Sequence, residues 1–352
     1  MQFWVICSLL LSCVQADWKL PTYNIDLNVA PERRWDRVVI DHKYGLHDIR
    51  KIASHFLPKK IQPVVFLMAK YLDRLFPTEY AQEIKGISAI SGLPLGETVL
   101  LNVLYDLLAF DRSNPLGACT SVVAQDAKGS IWHGRNLDFN FGNFLRNMSI
   151  LVHFKRQDKI IFSSVTFAYY VGTMTGQRPG AFSVSLNERF YGGFIDNIFM
   201  AIITGFRNPA SLVIRETLEH KTDFESAVRY LSRIWLVAPC YFIVGGTEPN
   251  QGVVITRNRR NAADLWYLDS PGRWFVLETN YDHWKPNPTR DRRRQAAHAA
   301  MRKVGQSKVN AQTMLQVLSV VPVLNNDTIF STVMSGAHPY VMTEFSLVRH
   351  RR

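Results

Sequence analysis

Apolar and polar positions follow one rhythm before residue 118 and another after it. The run Thr22-Tyr23-Asn24-Ile25-Asp26-Leu27 alternates and reads as a short extended lead, after which apolar residues recur at helical spacing. Between Ile61 and Phe76 they occupy several faces, flanked or interrupted by Lys59, Lys60, Lys70 and Arg74. Such a helix suits a membrane surface and burial between domains equally well. A further helix starts at Gly92-Leu93-Pro94-Leu95-Gly96-Glu97 and runs to Leu108, and Asp111 to Gly117 is an exposed loop.

From there the rhythm becomes that of strands. Thr120 to Ala124 is small and β-branched, Gln125-Asp126-Ala127-Lys128-Gly129-Ser130 is turn chemistry, and Ile131 onward is extended again, so a β-hairpin is expected with Cys119 across from Arg135 and Asp138. Further strands are predicted at Ser149–Phe154, Lys159–Val165, Ala181–Leu186, Cys240–Gly246, Gly252–Thr256, Asp264–Leu268 and Trp274–Glu278. Helices are predicted at Phe194–Ile203, Ala210–Leu218, Asp223–Arg233, Arg290–Val304 and Ala311–Leu318. Thr222 or Asp223 caps the third of these, with Glu225 and Arg233 matched to its dipole. Strand-rich blocks separated by a helical block predict an α+β chain of two sheets covered by helices.

Composition adds a compartment. Met1 to Ala16 is uncharged, has an apolar core from Phe3 to Val14 and ends in small residues, as a secretory signal peptide does. The run is well short of the ~20 residues of a membrane span. Its removal takes Cys7 and Cys13 with it and leaves Cys119 and Cys240, too few for a disulfide framework. Cys240, within the apolar stretch Ala238 to Val244, reads as a small buried hydrophobe. With 47% hydrophobic residues in 352, the chain supports a large core. Asn147-Met148-Ser149 and Asn326-Asp327-Thr328 are glycosylation sequons, whereas Asn287-Pro288-Thr289 is blocked by its proline.

The net charge of +12, with ten histidines in reserve at acid pH, draws the protein to anionic membrane or lipid micelles. The arginines at 290 and 292–294 and the tail Arg349-His350-Arg351-Arg352 would suit nucleic acid in another setting. In a secreted chain no nucleic-acid partner is expected. The absence of Cys-x-x-Cys, His-Glu-x-x-His and Walker patterns leaves no metal and no nucleotide cofactor expected.

Cys119, Arg135 and Asp138 offer a thiol, a cation to stabilise its thiolate and a carboxylate to orient a base, but no base. Cutting the peptide bond before Cys119 supplies one, because a free α-amine titrates near ~7.7–8.0. The chain therefore reads as a precursor.

Ala118-Cys119-Thr120-Ser121-Val122-Val123-Ala124 with His133-Gly134-Arg135-Asn136-Leu137-Asp138-Phe139 resembles the N-terminal-nucleophile hydrolases of the acid ceramidase and N-acylethanolamine-hydrolysing acid amidase group. The resemblance continues through Tyr170-Val171-Gly172, Asn187-Glu188-Arg189, Tyr241 to Gly246, Val254 to Arg257, Glu278 to Lys285 and Asp291-Arg292-Arg293. It implies a four-layer αββα sandwich and self-cleavage between Ala118 and Cys119. The products would be a helical α subunit (17–118) and a catalytic β subunit (119–352), kept as a heterodimer. On the same basis Cys119 is the nucleophile, Asp138 holds the α-amine and Arg135 steadies thiolate and carboxylate. Asn280 supplies an oxyanion donor, Glu188 serves self-cleavage and site organisation, and Arg293 lines the site. A cross-strand ion pair for Arg135 and Asp138, and structural salt bridges for Glu188 and Arg293, are the plainer alternatives.

The implied substrate is a fatty-acid amide, met in the lysosome by a peripherally membrane-associated enzyme. Phe141 to Arg146 running straight into the next strand, and a cysteine-free 17–118 whose fragments packing alone would hold, look like the ethanolamide branch. Ser185 to Phe190 and Ala238 to Phe242 read closer to the ceramidase branch. A secreted lipid carrier without chemistry is the non-enzymatic alternative.

Overall fold

The computed structural model describes residues 20–56, 71–108, 117–139, 142–189 and 208–338, with scattered positions between 63 and 70. The signal segment 1–16, much of the basic stretch 57–68, the loop 111–116, the helix expected at 194–203 and the tail 349–352 lie outside the described residues.

Among the described residues the strands are β1 (Thr22–Asp26), β2 (Gly117–Gln125), β3 (Ile131–Phe139), β4 (Ser149–Arg156), β5 (Lys159–Phe167), β6 (Thr175–Arg178), β7 (Phe182–Glu188), β8 (Cys240–Gly245), β9 (Gly252–Arg257), β10 (Ala262–Tyr267), β11 (Phe275–Glu278) and β12 (Thr328–Met334). They form an eight-stranded sheet ordered β1-β4-β5-β6-β7-β8-β9-β10 and a four-stranded sheet ordered β11-β2-β3-β12. The helices are α1 (Asp36–Asp41), α2 (Leu46–Phe56), α3 (Leu72–Leu75), α4 (Thr78–Ser91), α5 (Leu95–Leu108), α6 (Gly142–Met148), α7 (Ala210–His220), α8 (Phe224–Arg233), α9 (Arg293–Val304) and α10 (Ala311–Leu318).

The β2–β3 hairpin closes because Asp126 Oδ1 accepts the N–H groups of Lys128 (2.8 Å) and Ser130 (2.9 Å), while Gly129 takes the left-handed φ of +93° that the turn needs. Both faces of this hairpin are covered, and side chains alternate between them. Val122, Ala124 and Trp132 pack outward on Ala297, Met301, Met314 and Leu318 of α9 and α10. Val123 and Ile131 pack inward on Tyr241, Ile243 and Val254 of the larger sheet. The other faces of β7, β8 and β9, through Val184, Leu186, Phe242, Val244 and Ile255, join Val213, Ile214 and Leu218 of α7 and Ala227 and Leu231 of α8 in a second apolar layer. The result is the expected αββα order. Asp223 caps α8 as predicted, its side chain accepting the Ser226 N–H at 2.7 Å.

Two expectations need correction. Residues 142–148, for which no helix was expected, form α6, which leads directly into β4 at Ser149. The chain before Ala118 is also held to the chain after it by more than packing. β1 adds a parallel edge strand to β4, with Leu151 N–H on the Pro21 carbonyl (3.0 Å) and Leu27 N–H on that of Lys155 (2.8 Å). In the core, Glu83 of α4 pairs with Arg215 of α7 through Oε2–Nη1 (2.5 Å) and Oε1–Nη2 (2.7 Å), both side chains wholly buried. Trp35 Nε1 and Arg34 Nη1 donate to the same carboxylate at 2.7 and 2.9 Å.

A carboxylate so buried is costly to lose, because Arg215 would remain buried and charged without its paired carboxylate. Glu83→Ala should destabilise the chain by about 3–5 kcal/mol. Glu79→Ala, which removes an exposed partner of Arg34, should change stability by less than about 1 kcal/mol. Urea unfolding of both variants checks this, and equal midpoints would refute it.

Candidate active site

The hairpin register pairs Cys119 with Leu137, Ser121 with Arg135 and Ala118 with Asp138. Directly opposed residues share a face, so Arg135 lies on the Cys119 face, one pair along, between the sheets. Asp138 lies on the opposite face, toward α9 and the turn before β12. The expectation that Cys119 faces both thus holds for Arg135 and not for Asp138.

Arg135 is fully buried and is held by acceptors from the larger sheet. Nη1 donates to the Met174 carbonyl (2.9 Å) and to Thr175 Oγ1, and Nη2 donates to the Leu186 carbonyl (3.0 Å) and to Cys119 Sγ (3.3 Å). Burial pushes the Cys119 thiol above its ordinary range, with the Asp138 charge adding to the rise and Arg135 and Arg293 pulling against it. In the intact chain this cysteine is a neutral thiol.

The main chain of Cys119 is gripped on both sides. Asn280, just past β11, accepts the Cys119 N–H at Oδ1 (2.9 Å) and gives Nδ2 to the Glu188 carbonyl (2.8 Å). A backbone N–H only donates, so the amide orientation follows from its partners. Arg293, at the head of α9, donates Nη1 to the Cys119 carbonyl (2.7 Å) and Nη2 to Asn280 Oδ1 (3.0 Å). Asp291 steadies it through Nη2 (2.6 Å) and Nε (3.0 Å).

Asp138 receives Thr328 Oγ1 on one oxygen (2.7 Å) and Asn325 Nδ2 on the other (3.0 Å), with Arg293 Nη1 at 3.7 Å. Burial raises its proton affinity, and Arg293 and the two hydrogen bonds oppose that. Glu188, at the end of β7, reaches the cluster by its carbonyl. Its buried side chain has no hydrogen-bond partner for Oε1 among the described residues, and burial pushes its carboxyl well above the usual range.

Cys119, Arg135, Asp138, Asn280 and Arg293 therefore converge, with Ala118 in the same strand. Asp291, Thr175, Asn325 and Thr328 also take part but were not singled out for the site from the sequence. Asp291 stood in a noted motif, and Thr328 was visible only as a sequon residue. Asn147 and Asn326 are both exposed. No group of three or more His, Cys, Asp or Glu side chains is placed to hold a metal among the described residues.

A chain of this architecture is an amide hydrolase of the N-terminal-nucleophile fold. The family model for linear amide C–N hydrolases, choloylglycine hydrolase family, matches residues 119–305, and that for the beta subunit of N-acylethanolamine-hydrolyzing acid amidase matches residues 19–85. The name beta subunit thus falls on the N-terminal segment, opposite to the α label expected from the sequence. The chain is 45% identical over 329 residues to N-acylethanolamine-hydrolyzing acid amidase of Caenorhabditis elegans, across 93% of this chain and 92% of that protein. Identity to the rat protein of that name is 42% over 322 residues, across 91% and 86%. Human acid ceramidase is 36% identical over 338 residues, across 90% and 83%. A solved structure of the Caenorhabditis elegans amidase ortholog superposes with a TM-score of 0.59 at 46% identity, over 63% of this chain and 95% of that one. The chain belongs to the linear amide C–N hydrolase family, in the group that holds these acid amidases and acid ceramidases. A carrier without chemistry is thereby set aside.

On the inward face beside Arg135, His133 meets Ser183 Oγ (3.0 Å) and Ser185 Oγ (2.9 Å). Burial and the Arg135 charge lower its pKa to about 3, below the ~6.5 of an unfolded histidine. Between those values the unfolded chain binds a proton that the folded chain refuses, so this residue's contribution to stability falls as pH drops from about 6.5 toward 3. The stability gap between the parent and His133→Gln should be widest at neutral pH and narrow on acidification. Urea midpoints from pH 7 down to 4 test it; a constant gap would contradict the assignment.

Proposed function

We propose that the chain is a precursor that cuts itself between Ala118 and Cys119 and then hydrolyses fatty-acid ethanolamides to fatty acid and ethanolamine. The observation that carries this reading is the grip on the Cys119 main chain, with its N–H on Asn280 and its carbonyl on Arg293 while its thiol meets Arg135. A site serving only an incoming amide has no need to bind the peptide groups on both sides of its nucleophile.

In the first act the thiol adds to the Ala118 carbonyl, the C–N bond breaks and the thiol proton passes to the nitrogen that becomes the α-amine. Water then hydrolyses the thioester, leaving the Ala118 carboxyl group and restoring the thiol. In the second act that amine, titrating near ~7.7–8.0, takes the thiol proton as sulfur adds to the substrate carbonyl. It returns the proton to the departing ethanolamine nitrogen, and a second water cleaves the acyl thioester to fatty acid. The second hydrogen of Asn280 Nδ2 is available to the oxyanion, a contact worth on the order of 3 kcal/mol. Arg135 steadies the thiolate, and Asp138 with Arg293 sets the charge around the amine. The acyl chain would lie in an apolar channel between the two fragments and end near Cys119.

The ethanolamide assignment is supported by the higher identity to the amidases than to acid ceramidase. The reading extends to a lysosomal glycoprotein, modified at Asn147 and Asn326, that works on anionic membrane or micelles. Supporting it are the net charge of +12, the expected signal peptide, the exposure of both asparagines and the word acid in the relatives' names. No helix among the described residues is long and apolar enough to cross a membrane.

Protein incubated at pH 4.5 and then sequenced should show a new N-terminus at Cys119, whereas Cys119→Ala should stay whole. Cutting of the alanine variant would assign the step to an outside protease. With processed enzyme in one detergent micelle, kcat/KM should be higher for palmitoylethanolamide than for a ceramide of equal acyl length. The reverse order would move the chain to the ceramidase branch.

A further inference from the structure

We infer that Asn325 and Thr328 are positioning residues for Asp138, a turn that clamps both oxygens of the carboxylate with the same threonine that completes the Asn326 sequon. The inference rests on the reading of Asp138 as part of the site. The direction of each bond is fixed by its neighbours. Thr328 Oγ1 accepts the Asn325 N–H (3.1 Å), and its single hydrogen goes to Asp138 Oδ1 (2.7 Å). Asn325 Oδ1 accepts the Asp327 N–H (2.9 Å), which turns Nδ2 toward Asp138 Oδ2 (3.0 Å). Both carboxylate oxygens are thus acceptors, the pattern of the ionised form.

The turn is itself secured. Arg146 of α6 donates to the carbonyls of Asn326 and Thr328, each at 2.7 Å, and the Asp327 carbonyl accepts the N–H of Phe139, next to Asp138 (2.8 Å). Thr328 stands opposite Asp138 in the β12–β3 register, and the two side chains are 1% and 0% exposed. A threonine bearing a sequon alone has no reason to be buried against a carboxylate.

Among the described residues, the charged or titratable groups near Asp138 are Arg293 of α9, Arg135 of its own strand and the Cys119 thiol. Burial favours the protonated acid, and the two donors of the clamp oppose it. Removing either donor therefore moves the acidic limb of any process that needs ionised Asp138 to higher pH.

The test uses full-length protein and follows two profiles against pH: appearance of the Cys119 N-terminus, and kcat/KM of processed enzyme on a fatty-acid ethanolamide. Thr328→Val and Asn325→Ala should each shift the acidic limb up by about one pH unit. Thr328→Ser, which keeps hydroxyl and sequon, should bring it back. Asn326→Gln should abolish any glycan at that position and leave the limb in place. If Thr328→Val does not fold, Asn325→Ala decides, because Asn325 is only partly buried. Unshifted limbs in the clamp variants overturn the inference, as does an Asn326→Gln profile that copies Thr328→Val. Asp138→Ala and Cys119→Ala run beside them. If those two still self-cleave, the site reading itself is lost; if they are inert while the clamp variants behave as parent, only the clamp is lost.

Discussion

A hairpin buried on both faces governs the chemistry around Cys119. Because its side chains alternate, odd and even positions feed different layers, and the peptide groups lie between them. The thiol and Arg135 sit among the larger sheet's carbonyls, while Asp138 sits among the groups of α9 and the β12 turn. The main chain of Cys119 touches both layers, through Asn280 and Arg293. A cut at Ala118–Cys119 would turn that shared boundary into an amine with acceptors already around it.

Polar groups placed so deep must find partners, and the partners they find organise the site. Asn187 Nδ2 donates to the carbonyls of Glu278 and Thr279, both at 2.9 Å, tying the end of β11 to β7 directly ahead of Asn280. Ser121 Oγ donates to Asn187 Oδ1 (2.8 Å), so the network returns to the nucleophile's own strand. Burial also sets protonation. Glu278, wholly buried, is raised to about 8, with Arg294 opposing the rise, and burial lifts Glu188 well above the usual carboxyl range. These carboxyls are neutral in acid, as their surroundings favour. Their folded values lie above the unfolded ones, so they add stability as pH falls toward the ordinary carboxyl range, opposing His133 over the upper part of its window.

The hairpin was legible because turn chemistry at Asp126 to Ser130 interrupts a small β-branched run, and the αββα order followed from the blocks of strands and helices. The face occupied by Asp138 was not. It depends on Gln125 pairing with Ile131, and a register shifted by one residue in either direction would have put Asp138 on the Cys119 face instead. β6 has four residues, too few for a period to register, and β12 follows directly on a sequon that drew the reading elsewhere. Glu83 and Arg215 lie 132 positions apart, and neither carries a local signal that the other will be its partner. The motif residues Cys119, Asn280 and Arg293 were legible by resemblance, but Thr328 belonged to no chemical pattern.

The parallel pairing of β1 with β4 has a consequence in mass action. In one chain, the contacts made by β1 and Glu83 close loops, and their strength does not depend on how dilute the protein is. If the Ala118–Cys119 bond is cut as proposed, the same contacts would join two molecules, and the free cysteines Cys119 and Cys240 both belong to the second of them, so neither provides a covalent tie among the described residues. Stability then acquires a concentration scale. Departure of the N-terminal fragment, carrying both β1 and Glu83, would bare an edge of the larger sheet and leave Arg215 without its buried carboxylate. Those two costs favour the cut form remaining one body down to low concentration.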